Sequence, residues 1–341
     1  MLKRSALVIC LFMVLLPFGV GAQFGNILDL AGLNIDPNSS LSSELDIQLI
    51  PTYPTPFTTM FVELAMYTED LDSAVIEWLV NDKSIQIGRG FKSFNFKTGG
   101  VGESTTVTIK ITLSRGAEFS RSFSLTPTGV EMVWEADSYV PAFYKGKALH
   151  PRQGRLKVVA MPQFMKNGSL IDSKKLIYTW SDGFQKYPDQ SGYGRNILVI
   201  DGHLLRSVEE ISVLVREPET GLVAESFLDI STSDPEIVFY RNDPYYGYIF
   251  DQALGKIFDL EPQEIEVVAA PYFFTREGSF GLEYSWRLNG SNAPELQNSR
   301  TAVFRKPEGE SGRSIISLEI KNLNKILQFT STNLTMQFNE E

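Results

Sequence analysis

The sequence predicts an all-β chain: three tandem β-sandwiches behind an N-terminal signal helix. Three observations carry this expectation. Tryptophans recur at a domain-sized period, with Trp78, Trp180 and Trp286 spaced 102 and 106 residues apart. Each ends an apolar run that breaks into a turn, in "SAVIEWLVND", "KKLIYTWSDG" and "FGLEYSWRLNG". Between them, segments such as "TVTIKI" alternate polar and apolar residues with the period of a half-buried strand. Clusters of Gly, Pro, Asn and Asp punctuate the chain about every ten residues, as turns between short strands do.

Taken in order, residues 1–22 read as a secretory signal peptide. Lys3 and Arg4 precede the apolar run "ALVICLFMVLLPFGV", and small residues Val20 and Ala22 precede a cleavage point. Pro17 closes a run shorter than the roughly 20 residues that span a bilayer. The sequence leaves open whether the segment is cleaved or stays as an anchor; the membrane is approached only through it. Residues 23–44 read as a flexible leader, with Asp36-Pro37-Asn38 and several serines. Within it, "NILDLAGLNI" is a candidate docking segment. The sandwiches follow at 45–129, 130–233 and 234–341.

The second and third units match beyond tryptophan. "KVVAMPQF" (157–164) answers "EVVAAPYF" (266–273), and "MVWEADSYVPAFYKGKAL" (132–149) answers "IVFYRNDPYYGYIFDQAL" (237–254). Agreement at several places with nearly one offset is stronger than any single match. The first unit diverges more. "MFVELAMYTED" stands in place of the VVA-x-P segment, and "TTVTIKITL" in place of "EEISVLVRE" and "SIISLEIKN". Tyr178 and Trp180 are two apart and share a strand face, as do Ile76 and Trp78, and Tyr284 and Trp286. A tryptophan on a central strand packs between the two sheets of such a sandwich. The expected structural core residues are therefore Trp78, Tyr178, Trp180, Tyr284 and Trp286.

The Y-x-W, its turn and the Gly-rich hairpin after it resemble the PKD and immunoglobulin-like superfamily. The usual PKD core reads roughly W-x-F-G-D-G. "TWSDG" keeps a fragment of it, and "EWLVND" and "SWRLNG" are closer to bacterial immunoglobulin-like modules. The chain as a whole resembles exported Ig-like/PKD-like surface proteins of Parcubacteria-type bacteria. "DSYVPAFYKGKAL" and the VVA-x-P segment carry that resemblance. It implies an extracellular, cell-surface or periplasmic location and an association with pilus or envelope machinery.

Composition narrows the function. Cys10 is the only cysteine, so a mature exported chain would be held by hydrophobic cores without disulfides. Without Lys3 and Arg4, the net charge moves from −10 to −12. No basic stripe is visible, which argues against nucleic acid and anionic lipid as partners. The chain has two histidines, His150 and His203; each lies beside a turn signal and reads as a surface or turn residue. No G-x-S-x-G occurs, and no cluster of Cys, His and carboxylates has zinc spacing. The expectation is no enzyme, no catalytic residue, no metal and no cofactor. "GRG" (88–90) and "GYG" (192–194) follow their tryptophans without opening a helix. They read as one recurring turn or bulge, not a phosphate loop. The acidic turns at Glu69, Asp70 and Asp72, at Glu135 and Asp137, and at Asn242 and Asp243 carry the oxygen ligands that calcium uses. Without cadherin-type motifs they read as turns.

The most aromatic stretch is "NDPYYGYIF", with Tyr245, Tyr246 and Tyr248. Its counterpart in the preceding unit holds Tyr139, Phe143 and Tyr144. These six are candidates for an interaction or inter-domain surface. Recurrence at both junctions favours packing between sandwiches. The expected function is a non-enzymatic exported scaffold or adhesion-type protein with a protein partner in a pilus or cell-envelope assembly. The alternative is a carbohydrate-binding surface protein that uses exposed tyrosines.

Overall fold

Alternation on the strands places one side chain in two between two sheets. In β2 (Thr59–Ala65) Met60, Val62 and Leu64 are buried, and in β6 (Thr105–Thr112) Val107, Ile109 and Ile111 are. On the outer face of β6, Thr106 and Thr108 make hydroxyl–hydroxyl hydrogen bonds of 2.9 Å to Ser124 and Ser122 on the neighbouring strand, a cross-strand pairing that supports the sheet. The computed structural model describes residue 41 and residues 44–276 and 281–339. The expected signal peptide and residues 23–40 of the leader lie outside the described residues.

The first sandwich pairs β1 (Asp46–Ile50), β2 and β5 (Ser93–Lys97) in one sheet, ordered β1-β2-β5. Its second sheet holds β3 (Val75–Val80), β4 (Lys83–Arg89), β6 and β7 (Glu118–Leu125), ordered β4-β3-β6-β7. The second sandwich repeats this plan. One sheet is β14-β9-β8, from β8 (Gly129–Ala136), β9 (Arg155–Gln163) and β14 (Ile197–Asp201). The other is β13-β12-β15-β16, from β12 (Ile177–Ser181), β13 (Gly192–Tyr193), β15 (Val208–Arg216) and β16 (Val223–Ser231). A small hairpin, β10 (Met165–Lys166) with β11 (Ser169–Leu170), is inserted after β9.

The third sandwich is larger. Its first sheet, β18-β17-β20-β23, holds β17 (Glu236–Asp243), β18 (Gly247–Ala253), β20 (Glu264–Tyr272) and β23 (Thr301–Arg305). Its second, β19-β25-β24-β21-β22, holds β19 (Ile257–Asp259), β21 (Leu282–Leu288), β22 (Ser291–Asn292), β24 (Gly312–Asn322) and β25 (Phe329–Phe338). β19 runs parallel to β25, whereas the other pairings are antiparallel. The chain is thus all-β, three tandem immunoglobulin-like sandwiches. Among the described residues, no helix is long and apolar enough to cross a membrane.

Each sandwich has its own core around one tryptophan: Trp78, Trp180 and Trp286, on β3, β12 and β21. The three indoles are satisfied alike. Each Nε1–H donates over 2.8 Å to a backbone carbonyl, at Phe91, Arg195 and Ser299. The residue before each acceptor has a positive φ: Gly90 (70°), Gly194 (67°) and Asn298 (60°). Those residues turn the chain back, and their own N–H groups bond to the carbonyls of Ala74, Leu176 and Tyr284. Two-residue turns with positive φ at both positions close β3–β4 (Asn81-Asp82) and β21–β22 (Asn289-Gly290), as hairpins prefer. In both turns the Asn side chain accepts a backbone N–H, from Thr106 (2.9 Å) and Ile315 (2.8 Å).

Candidate functional site

After β8 the chain does not fold back. Ser138, Tyr139 and Val140 run on to Pro141, and residues 137–154 form an arm that reaches the third sandwich and is tied back to the second through the His150 and Gly154 carbonyls, which accept the N–H groups of Ser233 and Gly202. Ser138 makes an antiparallel bridge with Thr275. Tyr139 N–H donates to Phe274 O (2.6 Å), and Phe273 N–H donates to Tyr139 O (2.8 Å). Arg300 Nη2 donates to the Tyr139 hydroxyl (2.9 Å). Further along, Leu327 N–H donates to Gln153 Oε1 (3.2 Å), and Gln328 Nε2 donates to Arg152 O (2.7 Å).

The arm explains β20. This strand is buried on both faces: Val267 and Ala269 enter the core, while Val268, Ala270 and Tyr272 form a separate cluster with Tyr240 and Phe273. Val140, Phe143 and Tyr144 of the arm pack on that cluster. A strand covered on both sides reads as an unbroken apolar run, here "VVAAPYFF". The matching strand β9 alternates, because its outer face carries no such cover.

An aromatic band crosses this junction. Tyr248 meets Phe250 edge-on at 5.5 Å, Phe250 stacks on Phe143 at 3.7 Å, and Phe143 meets Tyr240 edge-on at 5.4 Å. The Tyr240 and Tyr272 hydroxyls share a 2.8 Å hydrogen bond. Tyr144 meets Tyr272 and Phe273 edge-on. Burial, then the bond to Tyr240, pushes the Tyr272 phenol well above its ordinary titration range. Phe273 holds a φ of 61°, which bulky side chains avoid. Beside the band is a cleft of about 490 Å³, whose lining includes Phe143, Tyr144, Lys145, Glu236, Tyr240 and Tyr272.

The six aromatics named from sequence therefore separate. Tyr139, Phe143 and Tyr144 are half-buried in the arm. Tyr245 and Tyr246 stand at the β17–β18 turn, 93% and 84% exposed, and Tyr248 is exposed at the start of β18. The two segments align in sequence but take different paths. Asp243 Oδ1 accepts the N–H groups of Tyr245 and Tyr246 (2.9 and 3.2 Å), and Gly247 takes a φ of 71°. That turn folds the third unit back on itself.

Trp78, Tyr178, Trp180, Tyr284 and Trp286 are all buried between sheets. Burial pushes the Tyr178 phenol up to about 12.

The histidines depart from the surface reading. His150 is fully buried, and both histidines face one carboxylate, Glu209, which is itself fully buried. His203 Nδ1 lies 2.6 Å from Glu209 Oε2, and His150 Nε2 lies 4.0 Å from Oε1. His203 Nε2 is 3.4 Å from buried Asp182 Oδ2, which also receives Arg206 Nη1 (3.2 Å) and the Tyr187 hydroxyl (2.9 Å). Burial pushes Glu209 up, but the approach of His150 and the bonds from the His203 ring and backbone N–H outweigh this and hold it at about 2. Turns place these groups: Gly202 leaves room for His150, whose Nε2 would lie 2.7 Å from any added Cβ. No sequence pattern joins residues 53 positions apart across two loops, so the cluster was not legible.

Among the described residues, no group of three or more His, Cys, Asp or Glu is placed to hold a metal ion. The acidic turns have other partners. Asp72 pairs with Lys92 (2.7 Å), Glu69 with Arg115 (2.6 Å), Glu135 with Lys157 (3.1 Å) and Asp137 with Arg276 (3.8 Å).

No family profile and no curated protein matches the chain. Solved structures do, faintly. Three N-terminal domains of the bacteriophage RB49 highly immunogenic outer capsid protein are 9% identical, with a TM-score of 0.26, covering 87% of this chain and 99% of theirs. Fibronectin(III)-like modules of Clostridium thermocellum CbhA are 12% identical, with a TM-score of 0.26, over 55% of this chain and 94% of theirs. A structure of a 1.5-MDa bacterial ice-binding adhesin is 7% identical, with a TM-score of 0.24, over 87% of this chain and 98% of its own. Likeness at this level transfers no function to this chain.

Proposed function

We propose that this chain is a non-enzymatic, exported adhesion scaffold, built from units at 45–129, 130–233 and 234–341, whose binding face is the aromatic band at the second junction. The observation that carries the reading is the exposure of Tyr245, Tyr246 and Tyr248 beside a band that the arm fixes in place. Tyrosines held on rigid elements make large contacts at low entropic cost. Among the described residues, the three cores are closed by apolar side chains. The partner is a component of a pilus or cell-envelope assembly.

In-cell photo-cross-linking tests this. A photoreactive residue at Tyr246 should capture a specific pilus or envelope component, while the same residue at Gln86, on the edge strand β4, should not. Equal capture from both positions, or none from Tyr246, removes the reading.

A further inference from the structure

An ionised carboxylate accepts hydrogen bonds and has no hydrogen to give. His203, in the loop after β14, stands between two of them. Its Nδ1 lies 2.6 Å from Glu209 Oε2 and its Nε2 lies 3.4 Å from Asp182 Oδ2. Both carboxylates are fully buried. Burial pushes both up, and the hydrogen bonds they accept outweigh it and hold them below the ordinary carboxylate range. A neutral imidazole carries one N–H and would aim a lone pair at one of the two anions, whereas the imidazolium presents N–H to both. With Arg206 on Asp182 (3.2 Å), the doubly protonated ring balances two buried negative charges with two positive ones. The ring is 28% exposed, so its proton exchanges directly with solvent.

We propose that His203 is a proton-operated latch on the arm: the imidazolium fastens the arm's root to the second sandwich, and loss of one ring proton releases it. The connection is short. Glu209 Oε1 also accepts the His203 backbone N–H (2.6 Å), so ring and carboxylate together fix the turn at Gly202. The Gly202 N–H then donates to Gly154 O (2.7 Å), at the end of the arm. His150 of the arm packs against the same Gly202, and its own carbonyl accepts the Ser233 N–H (2.8 Å). Between these two ties, Arg152 O and Gln153 Oε1 accept from Gln328 and Leu327 of the third sandwich. The root thus joins the latch to the second junction. His150 itself stands outside the latch, because its Nε2 is 4.0 Å from Glu209 Oε1.

Among the described residues, the other charged groups nearby are engaged elsewhere. Arg152 faces Asp234 (3.8 Å) and Arg155 faces Asp201 (3.2 Å). Glu210 and Lys186, on the neighbouring strand and turn, are exposed. The Tyr187 hydroxyl donates to Asp182 (2.9 Å), and burial pushes that phenol up, so it keeps its proton as pH rises past neutrality. Loss of the His203 proton therefore leaves two buried carboxylates with one guanidinium, and a lone pair facing an anion. Moving the 202–206 loop away relieves both. The latch holds at low pH and opens as pH rises through the titration of the ring.

The test is amide hydrogen exchange of the full chain, expressed as protection factors corrected for intrinsic exchange, from about pH 5.5 to about pH 9, which brackets ordinary histidine titration. Protection at Gly202, Ser233 and Leu327 should fall roughly ten- to a hundredfold across that span, the worth of a hydrogen bond to a charged group. Ile109, in the first sandwich, should not change. His203→Gln, which keeps an amide donor and has no titrating ring, should remove the pH dependence. In wild type, the ring-nitrogen NMR shifts of His203 should show two protonated nitrogens at the low end and one proton lost as protection falls. Protection that ignores pH, a pH dependence that survives in His203→Gln, or a ring already neutral at the low end each overturns the proposal. Should His203→Gln fail to fold, the wild-type ring signals decide alone. None of these readouts involves a partner, so loss of the latch and loss of the binding face are distinguishable.

Discussion

A buried indole N–H left without an acceptor costs about 1–3 kcal/mol, and the chain meets that demand three times in one way. A left-handed residue turns the backbone so that the next carbonyl faces the ring. Two of these residues were legible as the glycines of "GRG" and "GYG"; the third was hidden, because Asn298 does the same work with a side chain that tolerates the conformation. Gly90→Ala should destabilise the first sandwich by roughly 1–2 kcal/mol, since its Cβ would also sit 2.9 Å from Asp72 O. Asn298→Gly should change the third by no more than a few tenths, both read from urea midpoints. The buried Glu209 cluster sets an acid limit on the second sandwich. Its folded pKa of about 2 lies below the ordinary 4.5, so its contribution is present above 4.5 and lost as pH falls toward 2. That contribution is on the order of 3 kcal/mol. Urea titrations between pH 6 and pH 2.5 should show the loss in wild type. They should show much less pH dependence over that range in Glu209→Gln, which is less stable already at pH 6.

At the scale of elements, the strands were the most legible part. β6, β15 and β24 align as expected from "TTVTIKITL", "EEISVLVRE" and "SIISLEIKN", because each keeps one face inward. The arm was not legible, because sequence alignment set it opposite a segment that folds into a hairpin. Its trace was indirect: "VVAAPYFF" is too continuously apolar for a strand with one wet face. Phe143 is the arm's anchor, in contact with Tyr240 and Phe250. Phe143→Ala should cost about 2–3 kcal/mol, less than a fully buried phenylalanine because it is only half covered. Hydrogen exchange should quicken at Phe273 and Tyr139, whose amides tie arm to sandwich, and stay unchanged in β6.

At the scale of the molecule, the two junctions differ in strength. The first has a three-residue linker, Thr126-Pro127-Thr128, with Thr128 Oγ1 donating to Val223 O (2.8 Å) and Gly102 close against Met165. The second adds the whole arm, its backbone pairing and the aromatic band. Thermal unfolding of the chain should therefore show two transitions, with the first sandwich melting separately and the second and third together. A Gly102→Val change should leave the larger transition in place. The parallel pair β19–β25 has a further consequence, which concerns load. If the ends of the third sandwich are drawn apart, the opening strands β17 and β18 carry the load first; once they have come away, β19 is tugged from its start and β25 from its end, so the two slide lengthwise past each other. Their hydrogen bonds then resist together instead of opening one by one. In the first sandwich the opening strand β1 pairs only with antiparallel β2, and its tie to the closing strand β7 is a side-chain bond from Arg121 to the Leu45 carbonyl just before β1, not a strand pairing. Under tension the last sandwich should therefore lose β17 and β18 first and keep the β19–β25 pair as its final resistance.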